Sequence, residues 1–144
     1  MRQVYDGPLP AVDPESRPFW EAAKAHRLRL PRCTACGKFH FYPRSFCVHC
    51  HHRHIEWADV SGRGTVYSYY VAHRPAHPAF QDRVPYVVAL VDLEEGPRML
   101  TNIVDCPPEQ VRIGMPVEVV FRDVTEEVSL PCFRPAAVSE SRFV

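Results

Sequence analysis

The chain has 144 residues, 17 basic side chains against 17 acidic ones, and 46% apolar residues. That length buries one modest core, or two small units of which one needs help from outside hydrophobic packing. The balanced charge leaves no global field to attract a polyanion, and apolar runs of only about six residues fall far short of the roughly 20 needed to cross a bilayer, so nucleic acid is a disfavoured partner and membrane insertion is not expected.

The first ten residues, MRQVYDGPLP, interrupt any apolar stretch with Asp6 and three breakers, which disfavours an export signal and makes the cytoplasm the expected location. Residues up to Pro14 read as an arm whose order depends on docking. A helix is predicted to start with Ser16 as cap, its early turn tolerating Pro18, with Phe19, Ala22, Ala23 and Leu30 at near-helical spacing and Trp20 beside them, and to end before Pro31. The cysteine-bearing unit follows, and Ile55 to Val60 is a strand candidate.

From residue 64 the composition changes. GTVYSYYVAHR predicts one long strand, with Val66, Ser68 and Tyr70 on one face and Tyr67, Tyr69 and Val71 on the other. RPAHPAFQDRVP is a loop of about a dozen positions, long enough to suggest binding. YVVALVDL and PRMLTNIVDC are strands joined by a turn in which Gly96 can take a positive φ, PPEQVRIG is at most one helical turn, and MPVEVVFRDV and VSLPCFRPA supply two more strands. Five strands in about 75 residues fit an OB-fold barrel, with an SH3-like barrel as the competitor. The expected organisation is an arm and helix over residues 1–32, a ribbon over 33–57, a mainly β OB-fold domain over 58–136 and a tail over 137–144.

The strongest chemical signal is CTACGKFHFYPRSFCVHC. Cys33 and Cys36 form one C-x2-C knuckle, Cys47 and Cys50 a second, with ten residues between the inner pair. Two such knuckles can set four thiolates tetrahedrally around zinc; iron has the same four-sulfur geometry, and spacing does not separate the two. A closed four-thiolate shell leaves no position for water or substrate, so the metal is structural rather than catalytic. Gly37 supplies a permissive turn after the first pair, whereas His51 in the equivalent place predicts a less regular one. His49, His51, His52 and His54 are read as polar linker residues rather than a second metal site. Cys106 and Cys132 are read as buried thiols.

In this order of elements the chain resembles the DUF35, or acyl-CoA-associated OB-fold, proteins. The resemblance is carried by PFWEAAKAHRLRLPRCTACGKFHFYPRSFCVHC, SGRGTVYSYYVAHRPAHPAF, PYVVALVDLEEGPRMLTNIV and VRIGMPVEVVF. It implies a zinc-containing companion of a thiolase-like or related acyl-CoA enzyme, with the chemistry carried by the partner and a coenzyme A thioester as candidate ligand of the assembled complex. Arg63, Arg74 and Arg83 are the candidates for its phosphates and Phe80 for its apolar portion, because guanidinium groups make bidentate phosphate contacts. His73 and His77 are read as surface or packing residues. Phe19, Trp20, Phe41, Tyr42 and Phe46 exceed what so small a ribbon can bury, and are the candidate partner anchors. The alternative is a single-stranded nucleic-acid module, in which Tyr67, Tyr69 and Tyr70 would stack bases.

Overall fold

The computed structural model describes residues 9–74 and 78–136. Helix α1 spans Arg17–Lys24, directly after Ser16. The Ser16 hydroxyl does not cap the helix; it donates to the Asp13 carboxylate at 2.8 Å, and the same carboxylate accepts the Ser16 N–H at 2.8 Å. These bonds hold the Asp13 carboxyl below its usual range. Pro18 lies in the first turn, where a missing N–H costs no helical bond.

The helix ends earlier than its apolar spacing suggests. His26 takes a left-handed φ of 59°, and the Arg27 N–H closes back on the Ala22 carbonyl at 2.8 Å. The chain then enters strand β1, Arg29–Cys33, so Leu30 and the supposed terminator Pro31 are strand residues. Strand β1 pairs antiparallel with β2, Ile55–Asp59, in the register Leu30 with Ala58 and Pro31 with Trp57. The sheet of the ribbon therefore starts four residues before its first cysteine.

The second unit is a closed barrel of β3 (Arg63–Ala72), β4 (Tyr86–Leu93), β5 (Arg98–Ile103), β6 (Pro116–Asp123) and β7 (Ser129–Pro135). Its circular order is β3-β4-β5-β7-β6, closed by a parallel contact of Ile103 with Phe133, which is the five-stranded OB arrangement. Alternation along β4 sends Val87, Ala89, Val91 and Leu93 inward, where they meet Met99, Val117 and Phe133. At Gly64 a Cβ would collide with the Asp92 carbonyl, so only glycine allows β3 to approach β4 this closely.

The face assignment along β3 needs correction. A bulge between Val66 and Ser68 shifts the phase, so Val66, Tyr69 and Val71 pair with the inward residues Val91, Ala89 and Val87. Tyr67 and Tyr70 both face outward. The predicted turns hold: Gly96 has φ 116°, and Pro108–Gln110 is a single 3-10 turn. Within the loop after β3, Pro78–Arg83 forms another 3-10 turn. No helix among the described residues is long and apolar enough to cross a membrane.

Helix α1 ties the units together. Phe19 and Trp20 belong to one cluster of buried residues with Leu30, Val66, Met99 and Phe133. Lys24 donates to the Thr125 carbonyl at 3.2 Å, and His26 meets the Asp123 carboxylate at 2.9 Å while stacking on Phe121.

Candidate metal centre and barrel groove

The two knuckles are built alike, residue for residue. The Gly37 N–H donates to the Cys33 carbonyl at 2.9 Å, and the His51 N–H to the Cys47 carbonyl at 2.8 Å. Gly37 has φ 75° and His51 φ 65°. The second turn is thus as regular as the first, and histidine bears the left-handed backbone that glycine adopts freely.

Sulfur geometry repeats the pattern. Sγ of Cys33 accepts the amides of Ala35 and Cys36 at 3.3 and 3.4 Å, and Sγ of Cys47 those of His49 and Cys50 at the same distances. The four sulfurs lie within 4.8 Å of one another, with Cys33–Cys50 and Cys36–Cys47 at 3.6 Å. A tetrahedral ion with metal–sulfur bonds of about 2.3 Å sets sulfurs about 3.8 Å apart, so the four cysteines form a cluster that fits a metal ion of zinc's size.

The thiols also fit a cation electrostatically. The Cys36 amide pulls Cys33 below the ordinary thiol value. Desolvation opposes ionisation of Cys47, yet the amides of Cys50 and His49 bring it down to about 6. At Cys50 the His52 amide pulls down, but desolvation and the neighbouring sulfurs push the thiol up to about 11. Four thiolates cannot share this volume without a positive charge at the centre. Among the described residues no other group of three or more potential ligands converges, the four linker histidines included.

The candidate anchors divide. Phe19 is only 1% exposed and Trp20 is buried, Phe19 packing edge-on to Trp20 at 4.8 Å and tilted against Phe41 at 5.6 Å. Trp20 Nε1 donates to the Tyr42 hydroxyl at 3.1 Å. Phe19 and Trp20 are therefore supports of the chain's own core and not exposed anchors, because the helix packs them against the barrel. Phe41 and Tyr42 are half-buried, and Phe46 is 39% exposed.

The arginines divide as well. Arg63 opens β3 opposite Glu118, whereas Arg74 lies just beyond its other end, and Arg83 precedes β4 at that same end. Ten residues of strand put Arg63 roughly 30 Å along the chain from Arg74, so the three do not form one phosphate site. Arg83 instead shares a cavity of about 230 Å³ with Arg122, a residue that sequence reasoning missed. Asn102 and Cys132 line it too, and both continue into a second cavity of about 210 Å³ bordered by Phe41, Tyr42 and Leu100. Arg122 is adjacent in space only because β6 pairs with β7, which places it opposite Leu130. The side chain of Phe80, and His77 with it, lie outside the described residues. Burial pushes Cys132 above the ordinary thiol value, as befits a packed thiol; Cys106 is raised too, by desolvation and the charge of Glu109, but it is only half-buried, so the expectation of a buried thiol holds for Cys132 alone.

Residues 20–56 match the ChsH2 rubredoxin-like zinc ribbon domain, and residues 57–122 the ChsH2 C-terminal OB-fold domain. A DUF35 domain-containing scaffold protein of Methanocaldococcus jannaschii is 45% identical over 67% of this chain and 68% of its own length. The chain belongs to the DUF35 family. A solved chain of the Ltp2-ChsH2(DUF35) aldolase is 44% identical, with a TM-score of 0.80, over 90% of this chain and 100% of that one. A DUF35 protein from Sulfolobus solfataricus shares the fold at 17% identity and a TM-score of 0.60 over 85% of this chain and 86% of that one. The "Probable enoyl-CoA hydratase alpha subunit" of Thermomonospora curvata is 44% identical over 92% of this chain, which spans only 41% of that longer protein. As a zinc-ribbon OB-fold protein of this family, the chain is related to subunits of acyl-CoA-processing systems.

Proposed function

We propose that this DUF35 chain is the zinc-containing companion subunit of a heteromeric acyl-CoA-processing enzyme, with a thiolase-like or related partner carrying the chemistry. The observation that carries this reading is likeness over the full length of a solved chain of the "Ltp2-ChsH2(DUF35) aldolase". The described site is consistent with that division of labour: a closed four-sulfur shell stabilises a small ribbon and offers no coordination position for substrate. Structural zinc would contribute on the order of 10 kcal/mol to folding of the ribbon, enough to hold a unit too small for a core of its own.

The groove bearing Arg83 and Arg122 is the part of this chain assigned to the acyl-CoA. Two guanidinium groups suit a phosphate, and the adjoining wall of Phe41, Tyr42 and Leu100 suits the apolar length of the thioester. The experiment is isolation of the tagged chain from its native host, identification of the co-purifying subunit, and titration of the complex with acyl-CoA. Arg83→Ala and Arg122→Ala are each expected to weaken acyl-CoA binding about tenfold without loss of metal or assembly. Unchanged affinity in both variants removes the groove from the ligand site. A chain that recruits no acyl-CoA enzyme refutes the companion role itself.

A further inference from the structure

The four sulfurs of the metal cluster differ in what surrounds them. Cys33 and Cys47 are buried, both at 0% exposure, whereas Cys36 and Cys50 are exposed. Each buried sulfur is held from within its own loop by two amides, those of Ala35 and Cys36 on Cys33 and those of His49 and Cys50 on Cys47. Each also meets the exposed sulfur of the opposite knuckle, Cys33 facing Cys50 and Cys47 facing Cys36, both at 3.6 Å. Both contacts cross from one knuckle to the other.

A solvent-facing sulfur is thus set against a shielded one twice over. Oxidation of a thiolate begins where the oxidant can reach it, and an oxidised sulfur with a second sulfur beside it closes to a disulfide before it passes to the irreversible acids. At 3.6 Å the two sulfurs already touch, so attack of one on the other asks little movement of either loop.

We propose that the cluster is a reversible oxidation site for hydroperoxides, attacked at Cys50 and Cys36 and closed into the cross-knuckle disulfides Cys33–Cys50 and Cys36–Cys47, with release of the metal ion. The Cys50 sulfur attacks a peroxide oxygen, the O–O bond breaks, hydroxide leaves and a sulfenic acid remains on Cys50. The Cys33 sulfur then attacks that of Cys50, the S–O bond breaks, a second hydroxide leaves and the S–S bond forms. Two thiolates have lost two electrons and the peroxide has gained them. Cys36 and Cys47 repeat the sequence with a second peroxide, and no thiolate remains to hold a cation. Two crossed bonds join the knuckles where the ion had joined them, so the oxidised ribbon keeps β1 on β2. Bonds confined to single knuckles would leave the two loops unconnected. The inference stands on the sulfur cluster, so failure to find an acyl-CoA enzyme partner leaves it untouched.

The test treats the zinc-loaded full chain with about ten equivalents of hydrogen peroxide, follows zinc release with a chromogenic chelator, blocks free thiols and digests with trypsin. Cleavage after Arg32, Lys38, Arg44 and Arg53 places Cys33 and Cys36 in residues 33–38, and Cys47 and Cys50 in residues 45–53. The expected result is loss of the bound zinc and a joined pair of these peptides, about 4 Da lighter than the two reduced peptides together. Fragmentation of the pair is expected to give Cys33–Cys50 and Cys36–Cys47. Dithiothreitol with added zinc is expected to restore stoichiometric metal binding. Amide exchange is expected to show protection of Arg29–Cys33 and Ile55–Asp59 kept in the oxidised chain and lost in the reduced chain stripped by a chelator. A Cys106→Ser variant is expected to respond as the parent does. Zinc retained through the treatment overturns the proposal, as does a bond closed inside either peptide, sulfinic acid at Cys36 or Cys50 in place of a disulfide, or zinc binding that the reductant does not restore. Equal loss of protection in both metal-free chains overturns it too, and so does zinc release that disappears in Cys106→Ser.

Discussion

Replacing Phe19 by alanine separates a core support from a partner anchor. The side chain is 1% exposed and touches three aromatic rings, Trp20 at 4.8 Å, Phe41 at 5.6 Å and Tyr42 at 6.2 Å between centroids. Truncating a buried phenylalanine costs about 3–5 kcal/mol, through lost burial and the cavity left behind. In a chain of 144 residues that corresponds to a fall in Tm of about 10–15 °C. The matched control is Phe46→Ala, whose parent ring is 39% exposed and whose loss is expected to cost no more than about 0.5 kcal/mol. Thermal unfolding followed by near-ultraviolet circular dichroism, with metal content measured on each sample, makes the comparison. A Phe19→Ala chain that melts within about 2 °C of the parent would refute the reasoning, and weakened partner binding in that same stable chain would restore Phe19 as an anchor.

Cys47→Ser is expected to abolish stoichiometric metal binding and to unfold the ribbon before the barrel, which metal analysis and residue-resolved amide exchange would show. His51→Gly relieves a left-handed backbone at φ 65° and is expected to stabilise the metal-loaded chain by about 1 kcal/mol, whereas Gly37→Ala at φ 75° destabilises it by a similar amount, both read from denaturant midpoints. Asp59 is held below its usual carboxyl range first by the Arg29 hydrogen bond and then, against slight desolvation, by the charge of Arg27. A depressed carboxyl pKa gives stability that is present above the unfolded value near 3.9 and is lost as pH falls through the folded value, so Asp59→Asn is expected to lower stability slightly at neutral pH, to leave it unchanged below the folded value, and so to flatten the acid limb of the stability curve.

What could be read from the sequence, and what could not, follows the range of the interaction concerned. The C-x2-C pairs are local, and each knuckle closes with backbone bonds four and five residues apart, so spacing alone gives the cluster. Strand alternation is local too, but YVVALVDL is apolar on both faces apart from Asp92, so the pattern marks β4 as a strand without choosing its core face. It fails on β3 because the bulge beyond Val66 is imposed by pairing with β4, and that shift turns Tyr69 inward while leaving Tyr67 and Tyr70 on the surface. Helix α1 is misjudged at its end for the same reason. Leu30 sits at helical spacing from Phe19, but its preference is settled by Ala58 across the ribbon, on the far side of the whole cysteine unit.

The same distinction accounts for the functional residues. Aromatic surplus on a short ribbon suggests an interface when the ribbon is considered alone; once α1 bridges it to the barrel, Phe19 and Trp20 have an internal use and fewer rings remain for a partner. Arg63, Arg74 and Arg83 look alike as isolated cations flanking β3, yet the direction of the strand assigns them to different ends. Arg122 carries no local signal at all, since 38 positions separate it from Arg83 in sequence and only barrel closure brings the two to one groove. The four sulfurs stand apart from this groove, but the core does not: the adjoining cavity that also holds both arginines is lined by Phe19, Trp20 and Met99, so the packing of α1 on the barrel shapes the groove as well as stabilising the fold.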